Sequence, residues 1–365
     1  MTLRNSPKKI GWGQVILLLL CCRSFTLMTF IPLLSEEYAV STQMTAVLIA
    51  AALQLLMLIP LLFLYRRFPD SNTTQILTKK NSFLGFLLTV LFLLFFIAET
   101  ADSIISFQTF LSDRFFKSSN PYIWLGLFLV VCVYCAILGL EGISRSSAAV
   151  FIILILMLII MGITSFKSIE AVNFYPAADS NLFSAVKDEL ARNGEIAALC
   201  FLCKFVPKKF NRSVFGYIIG KIIIIEAVLL LIQGVLGDFS SLTDYPFLAV
   251  GAYAGVNFLQ RTDAIYLVVW TMTAVLKNAL FLGICSGLLE EVFPKMPCKT
   301  AIAAVAVYAT SMPMIAAHTT LSVAYGDAPF LIVQILLVFV VPLLLIIFTK
   351  KPLQDVNVKQ DKTND

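Results

Sequence analysis

Between Gly11 and Phe348 the chain is a succession of apolar runs, most of them about twenty residues long. That length of predominantly apolar helix crosses a bilayer's hydrocarbon core, and few other folds accommodate so many such runs. Charged residues make up 13% of the 365 residues and mean hydropathy is +0.90, whereas a soluble domain carries about 25% charge. The chain has too little polar surface to stay in water, and the bilayer is its natural solvent.

Ten spans are expected, near 11–34, 42–64, 82–108, 122–141, 147–166, 182–206, 214–236, 263–288, 300–320 and 329–348, followed by a short polar tail from Thr349. All belong to one transmembrane domain over 1–348. The first run is too long for a signal peptide and no small-residue cleavage site follows Ile31-Pro32, so it is expected to stay as an anchor. With the N-terminus placed in the cytoplasm, 18 Lys and Arg fall on inside segments and 6 on outside segments. That bias follows the positive-inside rule and puts both termini in the cytoplasm. The net charge of +5 lies in these short loop clusters, not along one basic face or arm, which argues against nucleic-acid binding.

The apolar pattern breaks at a few places, and polar residues within spans mark function by default. Arg23 lies mid-way along span 1, within Cys22-Arg23-Ser24-Phe25-Thr26, and Glu99 lies in span 3, within Ala98-Glu99-Thr100-Ala101-Asp102-Ser103. A lone arginine at mid-membrane costs about 2.5–3.5 kcal/mol on insertion scales, so Arg23 is expected to face inward and to pair with Glu99. That pair serves either ligand contact or helix register. Lys277-Asn278 sits deep in span 8 and is a pocket candidate, while Lys221 in span 7 is expected to snorkel to the near surface. His318, the single histidine, reads as a satisfied interhelical group or as a proton relay.

Span 6 is irregular. Ile196 to Val206 is too short to cross alone, and it follows a polar stretch containing Asn193-Gly194-Glu195 and a short apolar piece, Leu182 to Val186. Two readings stand: a helix interrupted near Asn193-Gly194 and lining a cavity, or an outer amphipathic helix followed by a short tilted span. Ten spans divide as five plus five. An interruption in span 6 and an Arg-Ser break in span 1 would then occupy equivalent places in two inverted halves, the architecture of the amino-acid/polyamine/organocation permeases. Gly216-x3-Gly220 and Gly283-x3-Gly287 are close-packing signatures. Cys132-Val-Tyr-Cys135 and Cys200-Phe-Leu-Cys203 have metal-like spacing but no further ligands nearby, and read as small packing residues.

Five segments carry a resemblance. They are Gly139-Leu140-Glu141-Gly142-Ile143-Ser144-Arg145, Asn173-Phe174-Tyr175-Pro176, Gly194-Glu195, Tyr245-Pro246, and Gln260-Arg261-Thr262-Asp263-Ala264-Ile265-Tyr266-Leu267-Val268-Val269-Trp270. In order and spacing the chain resembles, over nearly its whole length, the permease-like B subunits of bacterial spore germinant receptors, in the spore-permease family. The resemblance implies an all-α ten-helix membrane protein of the permease superfamily, with helices 1 and 6 interrupted. It implies a nutrient sensor of the spore inner membrane, not an enzyme, without cofactor or metal. Its implied partners are an A-type membrane subunit and a C-type lipoprotein.

The implied ligand is a small molecule, an amino acid by preference. Its pocket would be lined by Arg23, Ser24, Phe25 and Thr26; by Ala98, Glu99, Asp102 and Ser103; by Ala198 and Leu199; and by Lys277, Asn278 and Phe281. Gly194, Glu195, Glu141, Arg145, Arg261 and Asp263 would serve structure or gating. Span 1 lacks the glycine usual at the unwound turn of such permeases, and Arg23 is expected to supply the charge for a ligand carboxylate. The alternative is a secondary transporter of an amino acid or amine with the same pocket.

Overall fold

The computed structural model describes residues 9–29, 40–114, 121–174, 181–206, 209–253, 263–316 and 328–349. Arg261 and His318 lie outside them. Thirteen α-helices run along the described chain: α1 Trp12–Thr29, α2 Val40–Arg67, α3 Thr73–Lys80, α4 Ser82–Arg114, α5 Pro121–Ser165, α6 Leu182–Ala191, α7 Glu195–Leu202, α8 Phe210–Leu236, α9 Pro246–Tyr253, α10 Asp263–Val292, α11 Cys298–Ala316, α12 Ala328–Ile335 and α13 Val341–Phe348. Among the described residues seven helices are long and apolar enough to cross a membrane. Their outward faces carry a wide apolar band, with Phe63, Phe83, Ile123, Ile163 and Ile219 all more than half exposed. That surface suits lipid and not water.

Spans 4 and 5 run without a loop through the 45 residues of α5, as two helices that meet at a kink. Straight, α5 would be about 68 Å long, more than twice the hydrocarbon core of roughly 30 Å. It is divided at Gly139, where φ is 83° and ψ is 172°, a backbone region open essentially to glycine alone. One glycine thus lets two spans share an almost continuous run of sequence. A five-residue π-helical stretch, Leu336–Val340, joins α12 to α13 within span 10.

Span 6 is interrupted as expected: α6 ends at Ala191 and α7 begins at Glu195. Span 1 is not broken at Arg23-Ser24. The helix runs from Trp12 to Thr29, with the Ser24 hydroxyl donating to the Leu20 carbonyl at 2.8 Å inside an intact turn. Nothing in Cys22-Arg23-Ser24 disfavours helix strongly enough to open it, since neither glycine nor proline is present. The end of α1 is fastened to α10 instead. Tyr266 donates to the Met28 carbonyl at 2.6 Å and Trp270 Nε1 to Thr29 Oγ1 at 2.7 Å.

Around α10 the helices α1, α4, α5, α7, α9 and α11 assemble. Trp270 anchors this core, stacking on Phe107 (5.0 Å, 3°) and meeting Phe110 at 4.3 Å. Helices α1 and α8 cross closely where Gly216 and Gly220 face Ile16 and Leu20. A methyl group on either glycine would come within 2.8 Å of those side chains, which is the use expected of that motif. Gly283 has open space instead, so its half of the second motif makes no close crossing.

Near the end of α10, Glu291 holds α3. Its carboxylate accepts from Asn72 Nδ2 (3.1 Å), Thr74 Oγ1 (2.7 Å) and Gln75 Nε2 (2.9 Å). Asn72 also caps α3 in a reciprocal capping box with Gln75.

Candidate functional site

The interruption of span 6 leaves two helix ends inside the bundle, each with backbone groups that need partners. Arg192 closes α6, and its carbonyl accepts from Arg23 Nη1 at 2.6 Å. The Asn193 carbonyl accepts from Gln334 Nε2 at 2.9 Å. Side chains of α1 and α12 thereby satisfy carbonyls that a continuous helix would satisfy itself. Gly194 opens α7 and lies against Glu99, where a methyl group would sit 1.7 Å from Oε1. Only glycine admits the carboxylate there.

Two groups of buried charge flank the break. In the first, Glu189 on α6 binds Arg23 Nη2 through Oε2 at 2.6 Å and Lys221 Nζ through Oε1 at 3.2 Å. All three residues are at most 3% exposed. Lys221 also donates to Gln54 Oε1 at 2.5 Å. In the second group, Lys277 on α10 places Nζ 3.0 Å from Glu195 Oε1, 3.5 Å from Glu99 Oε2 and 2.8 Å from Thr26 Oγ1. Thr26 donates to Glu195 Oε1 at 3.0 Å. The faces of Phe25 and Phe281 lie 6.0 and 5.6 Å from the ammonium, within range of cation–π attraction.

Asn193 joins the two groups. With its amide nitrogen 3.1 Å from Glu195 Oε2 and its oxygen 3.2 Å from Lys221 Nζ, both amide atoms find partners. The hydrogen-bond network selects that orientation. The Tyr217 hydroxyl lies 2.7 Å from the same amide.

The charges do not cancel locally. The first group has two cations and one carboxylate; the second has one cation and two carboxylates. Glu99 is the more loosely held carboxylate of the second group, and half-buried Asp102 lies one turn further along α4. By formal count the second group thus holds one carboxylate more than cations, while the two groups together hold three of each. Beside it, Asn278 Nδ2 donates to Ser103 Oγ at 2.8 Å and to the Ala274 carbonyl at 2.9 Å. Its Oδ1 is buried and has no hydrogen-bond partner among the described residues, an uncommon state for a buried acceptor.

Of the residues expected in the pocket, the structure brings Phe25, Thr26, Glu99, Ser103, Lys277, Asn278 and Phe281 to this place, with Gly194 and Glu195. Arg23 and Glu99 do not pair. Arg23 is taken by Glu189 and the Arg192 carbonyl, and Glu99 faces Lys277. Arg23 is thus a clasp on the broken helix, with both terminal nitrogens already engaged. Ser24 bonds within its own helix. Ala98 is partly exposed, while Ala198 and Leu199 are wholly buried in the core. Glu141 and Arg145 pair at 2.6 Å with the Arg145 side chain 70% exposed, away from the charged cluster, and Asp263 begins α10. Lys221 does not snorkel: it is fully buried, because Glu189 and Gln54 meet its ammonium on the spot.

The sequence reading missed Glu189, Gln54, Asn193's bridging amide, Tyr217 and Gln334. Gln54 and Gln334 stand alone in strongly apolar runs. The rule that flagged Arg23 and Glu99 applies equally to them.

A family model for the spore germination proteins, the spore permeases, matches residues 14–320. No curated protein is similar enough in sequence to register a match. Among solved structures, the chain is similar to Mhp1, a nucleobase-cation-symport-1 family transporter, in a closed conformation with bromovinylhydantoin bound. The TM-score is 0.61 at 14% identity, over 85% of this chain and 73% of that one. It is also similar to a Na+-coupled sialic acid symporter in a substrate-bound outward-open state (TM-score 0.59, 12% identity, 91% and 79% covered). The inward-facing form of Mhp1 matches with a TM-score of 0.57 at 15% identity, over 94% and 81%. At these identities the likeness establishes the fold alone, the one these transporters share. The interrupted helix, the buried charges that flank it and the match across most of the chain agree: this multi-pass membrane protein belongs to the spore germination protein family, the spore permeases.

Proposed function

We propose that the chain is the germinant-sensing membrane subunit of a spore germination receptor, and that it binds a small ammonium-bearing molecule, an amino acid by preference, beside the break in span 6. The reading rests on one observation above others. The second charged group holds one more carboxylate than cation, and Asn278, next to Lys277 in the chain, has a buried Oδ1 without a partner among the described residues. A ligand ammonium meets both needs, taking Glu99 as its counter-ion and Asn278 as a hydrogen-bond acceptor. Thr26 and Ser103 line the same place, and Phe25 and Phe281 provide apolar walls.

Binding would then act on Glu99, which touches Gly194 at the joint between α6 and α7. A ligand that prefers one arrangement of that joint shifts the bundle toward it. An A-type membrane subunit and a C-type lipoprotein in the spore inner membrane would read the shift. The orientation with both termini in the cytoplasm belongs to the same proposal. The fold it shares with transporters supports a second reading, in which the same site carries its ligand across the membrane. Concentrative uptake by the chain in sealed vesicles separates the two.

The test is a thermal-shift screen of the purified receptor against amino acids, sugars and nucleosides. Glu99→Gln removes a charged hydrogen bond worth about 1.5–3 kcal/mol, a weakening of roughly 10- to 100-fold, and Asn278→Ala weakens binding in the same direction. A ligand that binds both variants as well as the native chain would place the site elsewhere.

A further inference from the structure

Of the similar transporters, one belongs to a nucleobase-cation-symport family and one is Na+-coupled. In this chain a cation stands in the centre of the bundle, but it is covalent. Lys277 Nζ is held by oxygens from three other helices: Thr26 on α1 at 2.8 Å, Glu99 on α4 at 3.5 Å and Glu195 on α7 at 3.0 Å. Two aromatic faces complete the surroundings. Two carboxylates and a hydroxyl around a buried positive charge are the hard, negatively charged oxygens that hold cations. Hard oxygen ligands of net negative charge suit alkali ions as well as ammonium.

We infer that Lys277 is a built-in replacement for a coupling ion: the native chain folds and binds its ligand without Na+, and removing the lysine uncovers a latent Na+ site made by Glu99, Glu195 and Thr26. The inference deepens the reading above by stating the ion requirement of the same place, and rests on that reading only where ligand binding is concerned.

Electrostatics gives the reason. Without Lys277, Glu99 and Glu195 would face each other inside the bundle with no opposite charge between them. Two such carboxylates cannot both stay ionised without a counter-ion. The nearest alternative cations, Arg23 and Lys221, are already committed to Glu189 at 2.6 and 3.2 Å. Truncation to alanine removes both the charge and the side-chain stem that fills the space. A small ion can then enter, and binding to the folded state alone raises its stability.

The experiment uses the full chain purified into lipid nanodiscs. Melting is followed in NaCl and in choline chloride at equal ionic strength and at pH 8, with no germinant present. Native protein is expected to melt at the same temperature in both salts. Lys277→Ala is expected to melt several degrees higher in NaCl, with saturable dependence on Na+. Lys277→Ala with Glu195→Gln, which keeps one carboxylate, is expected to lose that dependence. Lys277→Arg, which keeps a tethered cation, is expected to be indifferent to Na+.

A native chain stabilised by Na+ over choline overturns the inference, and that arm needs no variant. A folded Lys277→Ala chain that ignores Na+ also overturns it, since the carboxylates have then taken a proton instead. Lys277→Ala recovered folded in NaCl but not in choline supports it. Because no germinant enters these measurements, an error in the sensing reading leaves them unchanged. Conversely, a correct sensor can fail them.

Discussion

Replacing Glu189 with glutamine strands two buried cations at once. In the native protein its two oxygens lie 2.6 Å from Arg23 and 3.2 Å from Lys221, with all three side chains at most 4% exposed. At an effective dielectric of about 20, each attraction is of order 5–6 kcal/mol before desolvation is subtracted. What remains when one partner of a buried pair is removed is about 3–5 kcal/mol, most of it the burial of an unpaired charge. Glu189→Gln belongs at the top of that range because both cations lose their counter-ion.

Arg23→Met leaves Glu189 paired with Lys221 and strands no charge. Its cost is the loss of the cap on the Arg192 carbonyl and one charged hydrogen bond, together about 2–3 kcal/mol. Replacing Arg23, Lys221 and Glu189 all by methionine removes every charge of the first group, and buried ion groups exchanged in this way for apolar residues are often neutral or stabilising. Melting of the full chain in nanodiscs, read by tryptophan fluorescence, should rank both the triple variant and Arg23→Met above Glu189→Gln. If Arg23→Met melts lower than Glu189→Gln, or the triple variant is no better than Glu189→Gln, the shared-carboxylate account is wrong.

Two further substitutions probe the backbone. Gly194→Ala places a methyl group 1.7 Å from Glu99 Oε1 and drives the carboxylate off Lys277. Overpacking of this kind costs about 1–3 kcal/mol, and germinant-induced stabilisation should vanish along with the melting loss; a Gly194→Ala chain with native ligand response would show that Glu99 is free to move. Gly139→Ala puts a side chain at φ 83° and ψ 172°, at about 1–3 kcal/mol. Gly162→Ala, in the same helix at a position with open space, should leave the melting temperature nearly unchanged, and equal losses at both would remove the backbone explanation.

The long apolar helices were legible because a bilayer imposes a length on every apolar run, though seven and not ten reach that length among the described residues, and the interruption of span 6 was legible because Ile196 to Val206 falls short of it. Glu99, Lys277, Asn278 and Thr26 could be named from charge and polarity inside apolar sequence. Their pairing could not. Which carboxylate meets Arg23 depends on the rotation and depth of each helix, and linear sequence fixes neither. Glu189 was hidden in Lys187-Asp188-Glu189, where a surface helix and a buried one look alike until packing is known. Lys221 misled in the opposite sense: a long side chain near a span end normally reaches for water, and only the nearby Glu189 and Gln54 keep it inside. The break expected at Arg23-Ser24 was borrowed from the symmetry of two halves, and an intact helical turn occupies the place.

The gap between α6 and α7 has a mechanical consequence. Its three residues are tied to separate neighbours: the Arg192 carbonyl to α1, the Asn193 side chain to α8, and the Asn193 carbonyl to α12, while Gly194 bears on α4 through Glu99. A hinge usually flexes because little holds it. This one is lashed on four sides, so it cannot turn by a small angle and leave its moorings in place. A turn at the gap would therefore break attachments to four helices together.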